Sequence, residues 1–404
     1  MPNHAFPNRI VLHVAGVDRP GVTSRLTGII ANENAQLVNI GQSVLHGYLT
    51  LSAIVDIPEE SNALRQILFA VSELGLRLEV SAFQPGASAP PPARVPGLCV
   101  TALGDLADGA AVARITREMA SRKMNIGEIR SLSEEGLSGL ELICDLDAST
   151  ELGTAELSDL RGNFLRLGSE LGIDIAVQRD DIFRRNKRLV CMDVDSTFVR
   201  GEFIDELAGL AGVKERVAEI TARAMRGELN FQTALTERVK LLEGLSFGRA
   251  KELSEQVELT PGADRFVKIL KSLGFRVGLV SGGFDFFVDE LKSRHGLDFA
   301  FSNELEVQDG VITGRLQGSI VDGARKAQVL KDMAKVYKVR LEQTVAIGDG
   351  ANDMLMLQQA GLGIAFRAKP KLQAVADMSL NHHERLDTLL FLMGFTSRDL
   401  ASVS

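Results

Sequence analysis

The sequence contains few cysteine and aromatic residues and no long apolar run. Its 404 residues include no Trp, two Tyr and three Cys, and the formal net charge is -8. Binding to a nucleic-acid backbone relies on clustered Lys and Arg, whereas the 45 basic residues are scattered along this chain. No window offers the roughly 18 consecutive apolar residues of a membrane-spanning helix, and residues 1–9 lack the pattern of a signal peptide. We therefore expect a cytoplasmic protein with neither a nucleic-acid nor a membrane partner.

The three cysteines are Cys99, Cys144 and Cys191, and they lie in apolar segments rather than in Cys-x-x-Cys pairs. Their number is odd. This pattern predicts buried thiols in a reducing compartment.

The length of the chain predicts more than one domain, because a single domain usually has roughly 100 to 200 residues. A stretch rich in Pro and Ala at residues 84–92 has the composition of a linker. The charged run at residues 179–188 indicates a second boundary, as either a solvated joint or the charged end of a connecting helix. The predicted limits are 1–84 for the first domain, 85–96 for the linker, 97–180 for the second domain and 181–404 for the third.

The first two domains show the same order of predicted elements. Hydrophobic periodicity predicts strand, helix, strand, strand, helix, strand (βαββαβ) in each, which is a ferredoxin-like α+β unit. Residues 39–41 and 125–127 both read Asn-Ile-Gly, and residues 73–75 and 170–172 both read Glu-Leu-Gly, which supports an internal repeat. In the first unit the strands are predicted at 10–15, 36–45, 49–57 and 77–83, and the helices at 20–33 and 62–74.

In the third domain, apolar strands end in polar residues and alternate with helical segments. The strand ends carry Asp193 and Asp195, then Ser281, then Asp349. This alternation predicts a parallel sheet with helices on both faces, whose ligand site lies at the carboxyl ends of the strands. We expect the polar residues to meet there. A largely helical insertion at about 201–259 follows the first of these strands and is expected to form a cap over the site.

Two acidic corners in this domain predict a metal site. Asp193 and Asp195 would point to the same face of a regular strand, although the pair alone is equally compatible with an acidic turn. Asp349 stands between two glycines, which allow the backbone to approach an ion or a phosphate closely. Mg²⁺ prefers hard oxygen ligands and usually keeps several waters. We expect Asp193, Asp349 and the backbone carbonyl of Asp195 to bind Mg²⁺.

A phosphate site also needs hydrogen-bond donors and positive charge, because a carboxylate and a phosphate dianion repel each other. Ser281 and the amides of the two following glycines, the first of them Gly282, are suitable donors. Lys326, at the expected start of a helix, offers a cation. In isolation, Ser-Gly-Gly is more often a simple turn, and Lys326 would be an ordinary surface lysine.

In their order along the chain, these motifs resemble those of the haloacid dehalogenase superfamily. They are Asp-x-Asp-Ser-Thr at 193–197, Ser281, Lys326 and Gly-Asp-Gly-x-Asn-Asp at 348–353. Within the superfamily the chain is similar to phosphoserine phosphatases, because Glu202 follows the first motif and Val-Ser-Gly-Gly-Phe occupies 280–284. The resemblance implies an α/β fold with a Rossmann-like parallel sheet and a helical cap, preceded by the two α+β units.

The resemblance also assigns roles to the residues of the site. Asp193 is the expected nucleophile, whose attack on phosphorus gives an aspartyl phosphate, and Asp195 is the expected general acid and base. In the family's pattern phosphate is held by Ser281, Gly282 and Lys326, Mg²⁺ is bound by Asp349, and the site is completed by Asn352 and, as a supporting residue, Asp353.

The cap is expected to select the substrate, since phosphoserine carries both an ammonium and a carboxylate group. Glu202 suits the ammonium, and Arg238 corresponds to the family's carboxylate-binding arginine. Without the resemblance, Arg238 would be an exposed helix residue. Met225 and Phe231 match apolar positions that close over the substrate, although helical spacing fits two cap-core residues equally well.

The two βαββαβ units resemble ACT domains, most clearly where residues 16–22 read Gly-Val-Asp-Arg-Pro-Gly-Val. ACT domains bind small amino acids at interfaces between units, where N–H groups at helix starts can receive a carboxylate. Asp18, as a cap of the first helix, Gly21 and Asn39 are the expected ligand residues. The second unit departs from the pattern at 104–109, which leaves a ligand-binding and a purely structural role open.

This resemblance further implies feedback by L-serine at the ACT units and a homodimer formed side by side through them. Two other functions stay open at this point. One is an enzyme of the same superfamily that hydrolyses another small phosphate ester or transfers phosphate to homoserine, against which Glu202 and Arg238 argue. The other is an amino-acid-sensing module with a degenerate phosphatase domain, against which the complete set of catalytic residues argues.

Overall fold

A computed structural model of the chain describes residues 8–83, 97–133, 138–145 and 153–403, except for the side chains of Thr154 and Met225. The predicted linker at 85–96 lies outside the described residues. The chain divides into two compact units, residues 1–93 and 94–404. No helix in the described ranges is long and apolar enough to cross a membrane. The three cysteines are buried, as predicted.

The first compact unit contains one four-stranded antiparallel sheet in the order β2-β3-β1-β4. Both helices contribute apolar residues to the same core as the strands, including Val22 and Ile67. The other face of the sheet is open, and its edge strand β2 is exposed along its whole length. The elements are β1 (Asn8–Val17), α1 (Val22–Asn32), β2 (Gln36–Leu45), β3 (Tyr48–Ile57), α2 (Ala63–Glu73) and β4 (Arg77–Ala82).

The second βαββαβ unit has the same strand order, β6-β7-β5-β8, but both faces of its sheet are covered. Strands β5, β7 and β8 are buried along most of their length. Leu103, Leu132 and Ala176 of this unit belong to the apolar core of the third domain. The elements are β5 (Gly97–Leu103), α3 (Ala110–Ser121), β6 (Asn125–Ser131), β7 (Gly139–Asp145), α4 (Thr154–Leu171) and β8 (Asp174–Asp180).

The third domain is built on a seven-stranded sheet in the order β12-β11-β10-β9-β13-β14-β15. All neighbours pair in parallel except β11 and β12. Side chains of β9 alternate between two apolar cores, one on each face of the sheet. The strands are β9 (Leu189–Met192), β10 (Arg276–Phe284), β11 (Phe299–Gln308), β12 (Val311–Gln317), β13 (Thr344–Gly348), β14 (Gly363–Phe366) and β15 (Met378–Leu380).

Four helices follow β9 and form the predicted helical insertion, and the remaining helices connect or follow the strands. The insertion comprises α5 (Phe203–Leu210), α6 (Lys214–Met225), α7 (Phe231–Lys240) and α8 (Phe247–Ser254). The others are α9 (Ala263–Ser272), α10 (Asp285–His295), α11 (Gly323–Val336), α12 (Met354–Gln359), α13 (Pro370–Gln373), α14 (Leu389–Leu392) and α15 (Ser397–Ala401).

The charged run at 179–188 is not the end of a helix, and as a joint it is only partly solvated, because Arg184 and Lys187 are buried. The Arg184 side chain is 1% exposed and donates to Glu141 of β7 at 2.6 Å and to Asp180 at 2.7 Å. Lys187 is also buried and donates to the backbone carbonyls of Glu342 at 2.7 Å and Gly361 at 3.0 Å. Buried charges of this kind need partners, and here the partners come from the domains on either side.

Candidate active site

The carboxyl ends of β9, β10 and β13 meet at one cavity of about 1060 Å³. Strand β9 lies between β10 and β13 in the sheet, so residues that follow these strands are brought together. Eight of the predicted site residues line the cavity: Asp193, Asp195, Glu202, Phe231, Arg238, Gly282, Asp349 and Asn352. Ser281, Lys326 and Asp353 do not line it, but they are buried and contact residues that do.

The turn after β9 aims two carboxylates into the cavity. Asp193 is buried, and its Oδ1 accepts a hydrogen bond from the Val194 amide at 2.7 Å. Asp195 has an extended backbone and is followed by Ser196 in the left-handed region (φ 58°), which turns the chain sharply. The Phe203 amide, at the first residue of cap helix α5, donates to Asp195 Oδ1 at 2.7 Å.

Lys326 lies on α11, fully buried, with its Nζ between two carboxylates. It is 2.8 Å from Asp193 Oδ1 and 2.8 Å from Asp353 Oδ1. Burial lowers the pKa of Lys326, but the charges of Asp193 and Asp353 outweigh burial, so the net pKa is raised and the side chain stays an ammonium. This fixes the position of the Asp193 carboxylate.

The loop after β13 is shaped by glycines that leave room for a carboxyl group. A Cβ on Gly348 would lie 2.4 Å from Asp353 Cγ, and a Cβ on Gly350 would lie 2.3 Å from Asn352 Oδ1. The Gly350 amide donates to Asp353 Oδ2 at 3.1 Å. A Cβ at Gly348 would therefore collide with the buried Asp353 carboxyl group, and one at Gly350 would displace the Asn352 side chain.

The carboxylates of this site fit a bound cation. Asp193, Asp349 and Asp353 each offer an oxygen, and these oxygens lie within 4.8 Å of one another. Both Asp353 oxygens already accept hydrogen bonds, one from Lys326 and one from Gly350. Asp193 and Asp349 are therefore better placed to bind a metal ion, and Asp353 to hold Lys326.

Burial raises the pKa of the carboxyl groups around the cavity. The pKa of Asp195 is raised to about 7 by burial and by the charge of Glu202. The pKa of Asp349 is raised to about 8, and that of Asp353 to about 7, by burial and by the charge of Asp193. The pKa of Glu202 is also raised by burial and by the charge of Asp193. A hard divalent cation would relieve this crowding of negative charge.

The loop at the end of β10 packs its backbone against the turn after β9 and against the cap. Ser281 is buried, and its Oγ accepts a hydrogen bond from the Gly283 amide at 2.8 Å. A Cβ on Gly283 would lie 3.2 Å from Asp195 Oδ2, and one on Gly282 would lie 2.9 Å from Phe231 Cζ. Side chains here would push away either the Asp195 carboxylate or the cap.

Two charged cap residues face the same cavity. Glu202 precedes α5, and Arg238 lies on α7, half-buried rather than exposed. Burial lowers the pKa of Arg238, while the charge of Glu202 opposes that shift. Phe231 lines the cavity and is also packed against the apolar core of the domain. The side chain of Met225 lies outside the described residues.

The predicted ligand residues of the first unit lie around its first helix and edge strand. Gly21 is the N-terminal cap of α1 and has a left-handed backbone (φ 97°). The prediction that Asp18 caps this helix was wrong, because the Asp18 amide bonds to the Gly47 carbonyl and the cap position belongs to Gly21. The Asn39 side chain accepts from the Ile40 amide at 2.8 Å.

Four charged residues that line the cavity were not predicted as site residues: Arg226, Asp322, Lys369 and Lys371. Lys369 follows β14, lines the cavity, and donates its backbone amide to the Asp349 carbonyl at 3.2 Å. Its charge opposes the rise in pKa of Glu202 and of Asp349. The signal was available, because Lys369 stands just after an apolar strand of the parallel sheet, as Asp193 and Asp349 do.

Three family models match the chain. A haloacid dehalogenase-like hydrolase model matches residues 187–361, and two ACT domain models match residues 8–81 and 98–178. The matches fall on the third domain and on the two βαββαβ units. The chain therefore has the α/β fold with a parallel sheet, preceded by two ACT domains, that its sequence predicts.

Two curated relatives match along almost their whole length. A phosphoserine phosphatase of Mycobacterium tuberculosis is 41% identical over 396 residues, covering 97% of this chain and 94% of that protein. A phosphoserine phosphatase of Streptomyces coelicolor is 39% identical over 393 residues, covering 97% and 93%. Among solved structures, a haloacid dehalogenase family hydrolase of Salmonella enterica serovar Typhi is 28% identical with a TM-score of 0.64, covering 74% of this chain and 99% of that one.

Proposed function

Because the chain belongs to the phosphoserine phosphatase family of haloacid dehalogenase-like hydrolases, we propose that it hydrolyses O-phospho-L-serine to L-serine and phosphate, the last step of serine biosynthesis. The observation that carries the proposal is the cavity that Asp193 and Asp195 share with Glu202 and Arg238. The two aspartates suit phosphoryl transfer. Glu202 and Arg238 suit the ammonium and the carboxylate of an amino acid.

The reaction follows from the positions of the two aspartates. The Asp193 carboxylate, oriented by Lys326, attacks phosphorus, and the bond from phosphorus to the serine oxygen breaks while Asp195 donates a proton to that oxygen. In the second step Asp195 takes a proton from water as the water oxygen attacks phosphorus, and Asp193 leaves as a carboxylate. A pKa of about 7 lets Asp195 act as acid and then as base near neutral pH.

The metal in this proposal is Mg²⁺, with Asp193, Asp349 and the backbone carbonyl of Asp195 as its protein ligands. Bound Mg²⁺ would offset the negative charge that builds up on the phosphoryl oxygens. Lys326, Ser281, the Gly282 amide and Asn352 are assigned to the phosphate group. Of these, Ser281 does not line the cavity. Its Oγ accepts a hydrogen bond from the Gly283 amide, so it would act on the phosphate by positioning the glycine loop.

Substrate choice is assigned to the cap. Arg238 would bind the carboxylate of phosphoserine, and its partial burial makes that charge-assisted bond stronger than it would be in water. Glu202 would bind the ammonium, which also relieves its repulsion from Asp193. Met225 and Phe231 are assigned to closing the cap over the substrate. A phosphate ester without the amino and carboxylate groups would leave both cap charges unpaired.

We also propose that the enzyme is a cytoplasmic homodimer regulated by L-serine through the ACT units, with Asp18, Gly21 and Asn39 as ligand residues. The apolar side chains exposed on β2, among them Leu37, Val44 and Leu45, support an interface on the first unit. In this proposal the domain limits are those predicted from the sequence, with the cap at about 201–259.

The test of regulation is a deletion. Serine inhibition curves that do not change on deletion of residues 1–93 would contradict regulation through the first unit.

The first test is phosphate release from L-phosphoserine in Mg²⁺ and in EDTA. We expect metal-dependent release, lowered more than about 10³-fold in kcat by Asp193→Asn. Asp309→Asn, an exposed residue in the turn between β11 and β12, is the matched control and should leave the rate unchanged. Arg238→Ala should raise KM by about 30-fold, because a charged hydrogen bond worth about 2 kcal/mol is lost.

Two outcomes would redirect the proposal. Activity on other phosphate esters but not on phosphoserine, still abolished by Asp193→Asn, would keep the chemistry and reject the substrate. No activity on any ester would favour the amino-acid-sensing module.

A further inference from the structure

One wall of the active-site cavity is the segment 367–377, which connects β14 to β15. Lys369, Lys371 and Leu372 of this segment line the cavity. It is joined to the catalytic loop after β13 through the hydrogen bond from the Lys369 amide to the Asp349 carbonyl. The position of this segment therefore decides where Lys369 stands relative to the substrate.

The far end of the segment is held by the second ACT unit. Arg161 of α4 places its Nη1 2.5 Å from Asp377 Oδ1, across the boundary between the two domains. The other carboxylate oxygen, Asp377 Oδ2, accepts from the Gly363 amide of β14 at 2.8 Å. Arg161 is itself fixed by a bond from its Nε to the Val177 carbonyl at 3.1 Å. Both charged side chains are about three-quarters buried, with 24% and 25% exposed, so water screens them only in part.

The charges around the cavity explain why the placement of Lys369 matters. Five carboxylates surround the reaction centre, and of the cations described above Lys326 is already paired with two of them. An anionic substrate must enter this field, which disfavours its binding. Lys369 lines the same cavity as Asp193, Asp195 and Arg238, so its ammonium lies within electrostatic reach of the substrate position.

We propose that Arg161 is a positioning residue of the phosphatase. Through Asp377 it fixes the segment 367–377, so that Lys369 stays in the cavity and contributes to binding of the anionic substrate. The identity of that substrate rests on the proposed function. In this arrangement the second ACT unit helps to position active-site residues. This role does not depend on whether the unit binds a ligand.

The test compares kcat and KM for phosphoserine in Arg161→Gln, Lys369→Gln and the double variant of the full chain. Each single change should raise KM about fivefold with little change in kcat, since a partly screened charge is worth about 1 kcal/mol. The double variant should resemble the more affected single variant, because both changes act through one ammonium group. Arg161→Lys should restore part of the loss.

Arg166→Gln is the matched control for Arg161→Gln. Arg166 lies on the same helix, is exposed, and bonds to Asn163 of that helix rather than to the third domain. Its loss should leave KM unchanged. Lys335→Gln, an exposed residue of α11, removes the same charge as Lys369→Gln outside the cavity and should also leave KM unchanged.

A purely structural role for Arg161 would lower the midpoint of thermal unfolding while KM stays the same, and that result would overturn the proposal. Amide hydrogen exchange provides a readout that needs no substrate. Arg161→Gln should speed exchange at Gly363 and in the segment 367–377, and Arg166→Gln should not. Unchanged exchange in Arg161→Gln would overturn the proposal whichever ester the enzyme hydrolyses, whereas inactivity of the native chain on phosphoserine would count against the proposed function alone.

Discussion

The two ACT units share a fold but differ in what covers the outer face of the sheet. Both have the same strand order, and each packs a glycine near the end of its first strand against the residue that precedes its last strand. A Cβ on Gly16 would lie 2.6 Å from Leu76, and one on Gly104 would lie 2.4 Å from Ile173. Gly21 and Gly109 begin the first helix of each unit with positive φ. The two units therefore share one backbone conformation, with glycines at the same positions.

The outer faces show the difference at matching positions. His13 stands three residues before Gly16 and pairs across the sheet with Ser52, in an exposed hydrogen bond of 2.9 Å. Thr101 stands three residues before Gly104 and pairs with Glu141, which is buried under Arg184. The same position in one fold is thus a solvent-exposed surface in the first unit and a domain interface in the second. A shared fold does not imply a shared role.

The largest effect should come from comparing removal of the first unit with removal of both units. A chain without residues 1–93 should fold and keep most of the native activity, because that unit is compact by itself. A chain without residues 1–180 should misfold, because Arg184 loses Glu141 and the apolar core loses Leu103, Leu132 and Ala176. Thermal unfolding followed by circular dichroism, together with phosphate release, measures both. A stable, fully active 181–404 fragment would remove the distinction between the units.

A single substitution on each outer face tests the same contrast. Glu141→Ala leaves a buried arginine without its main partner, so it should lower the free energy of unfolding by about 3 kcal/mol. His13→Ala removes an exposed side chain and should change that free energy by less than about 0.5 kcal/mol. Urea unfolding of the full chain gives both values. Equal losses would show that the two faces are energetically alike.

The smallest expected effect concerns self-association. Leu45→Lys places a charge on the exposed edge strand of the first unit and should weaken the proposed homodimer about tenfold in Kd, since burying a leucine is worth about 1.5 to 3 kcal/mol. Ile129→Lys makes the matching change on the edge strand of the second unit and should have no effect. Sedimentation velocity distinguishes the two. A monomeric native chain, or equal weakening by both variants, would contradict an interface on the first unit.

Local pattern was enough to predict most elements of the fold. Strand β2 spans Gln36–Leu45, as predicted, because β-branched residues such as Val38, Ile40 and Val44 favour a strand. The strand ends with Asp193 and Asp349 were predicted to meet, since parallel strands bring their carboxyl ends to one edge, and both line one cavity. Their catalytic and metal-binding roles stay proposals until they are measured.

The features that the sequence did not predict depend on contacts between residues that are far apart in the chain. A run of charges at 179–188 indicates solvent exposure, and only the position of Glu141 makes burial of Arg184 possible. Ser281 was expected in the cavity, but its depth beneath the glycine loop depends on the packing of β10. The position of Lys369 after an apolar strand was an available signal, but its role depends on the acidic residues that other strands place in the same cavity.

The covering of the second ACT unit has a consequence for how the chain is synthesised. Gln178 of this unit donates to the Leu392 carbonyl, 214 positions later, and its Leu132 carbonyl accepts from the Ser397 amide, 265 positions later. The ribosome therefore completes the first ACT unit early, whereas the second gains these partners only after residues 392–397 have been synthesised. During that interval the strands β5, β7 and β8, which are buried in the complete structure, lack part of their cover, so we expect the nascent chain to be prone to aggregation at this stage.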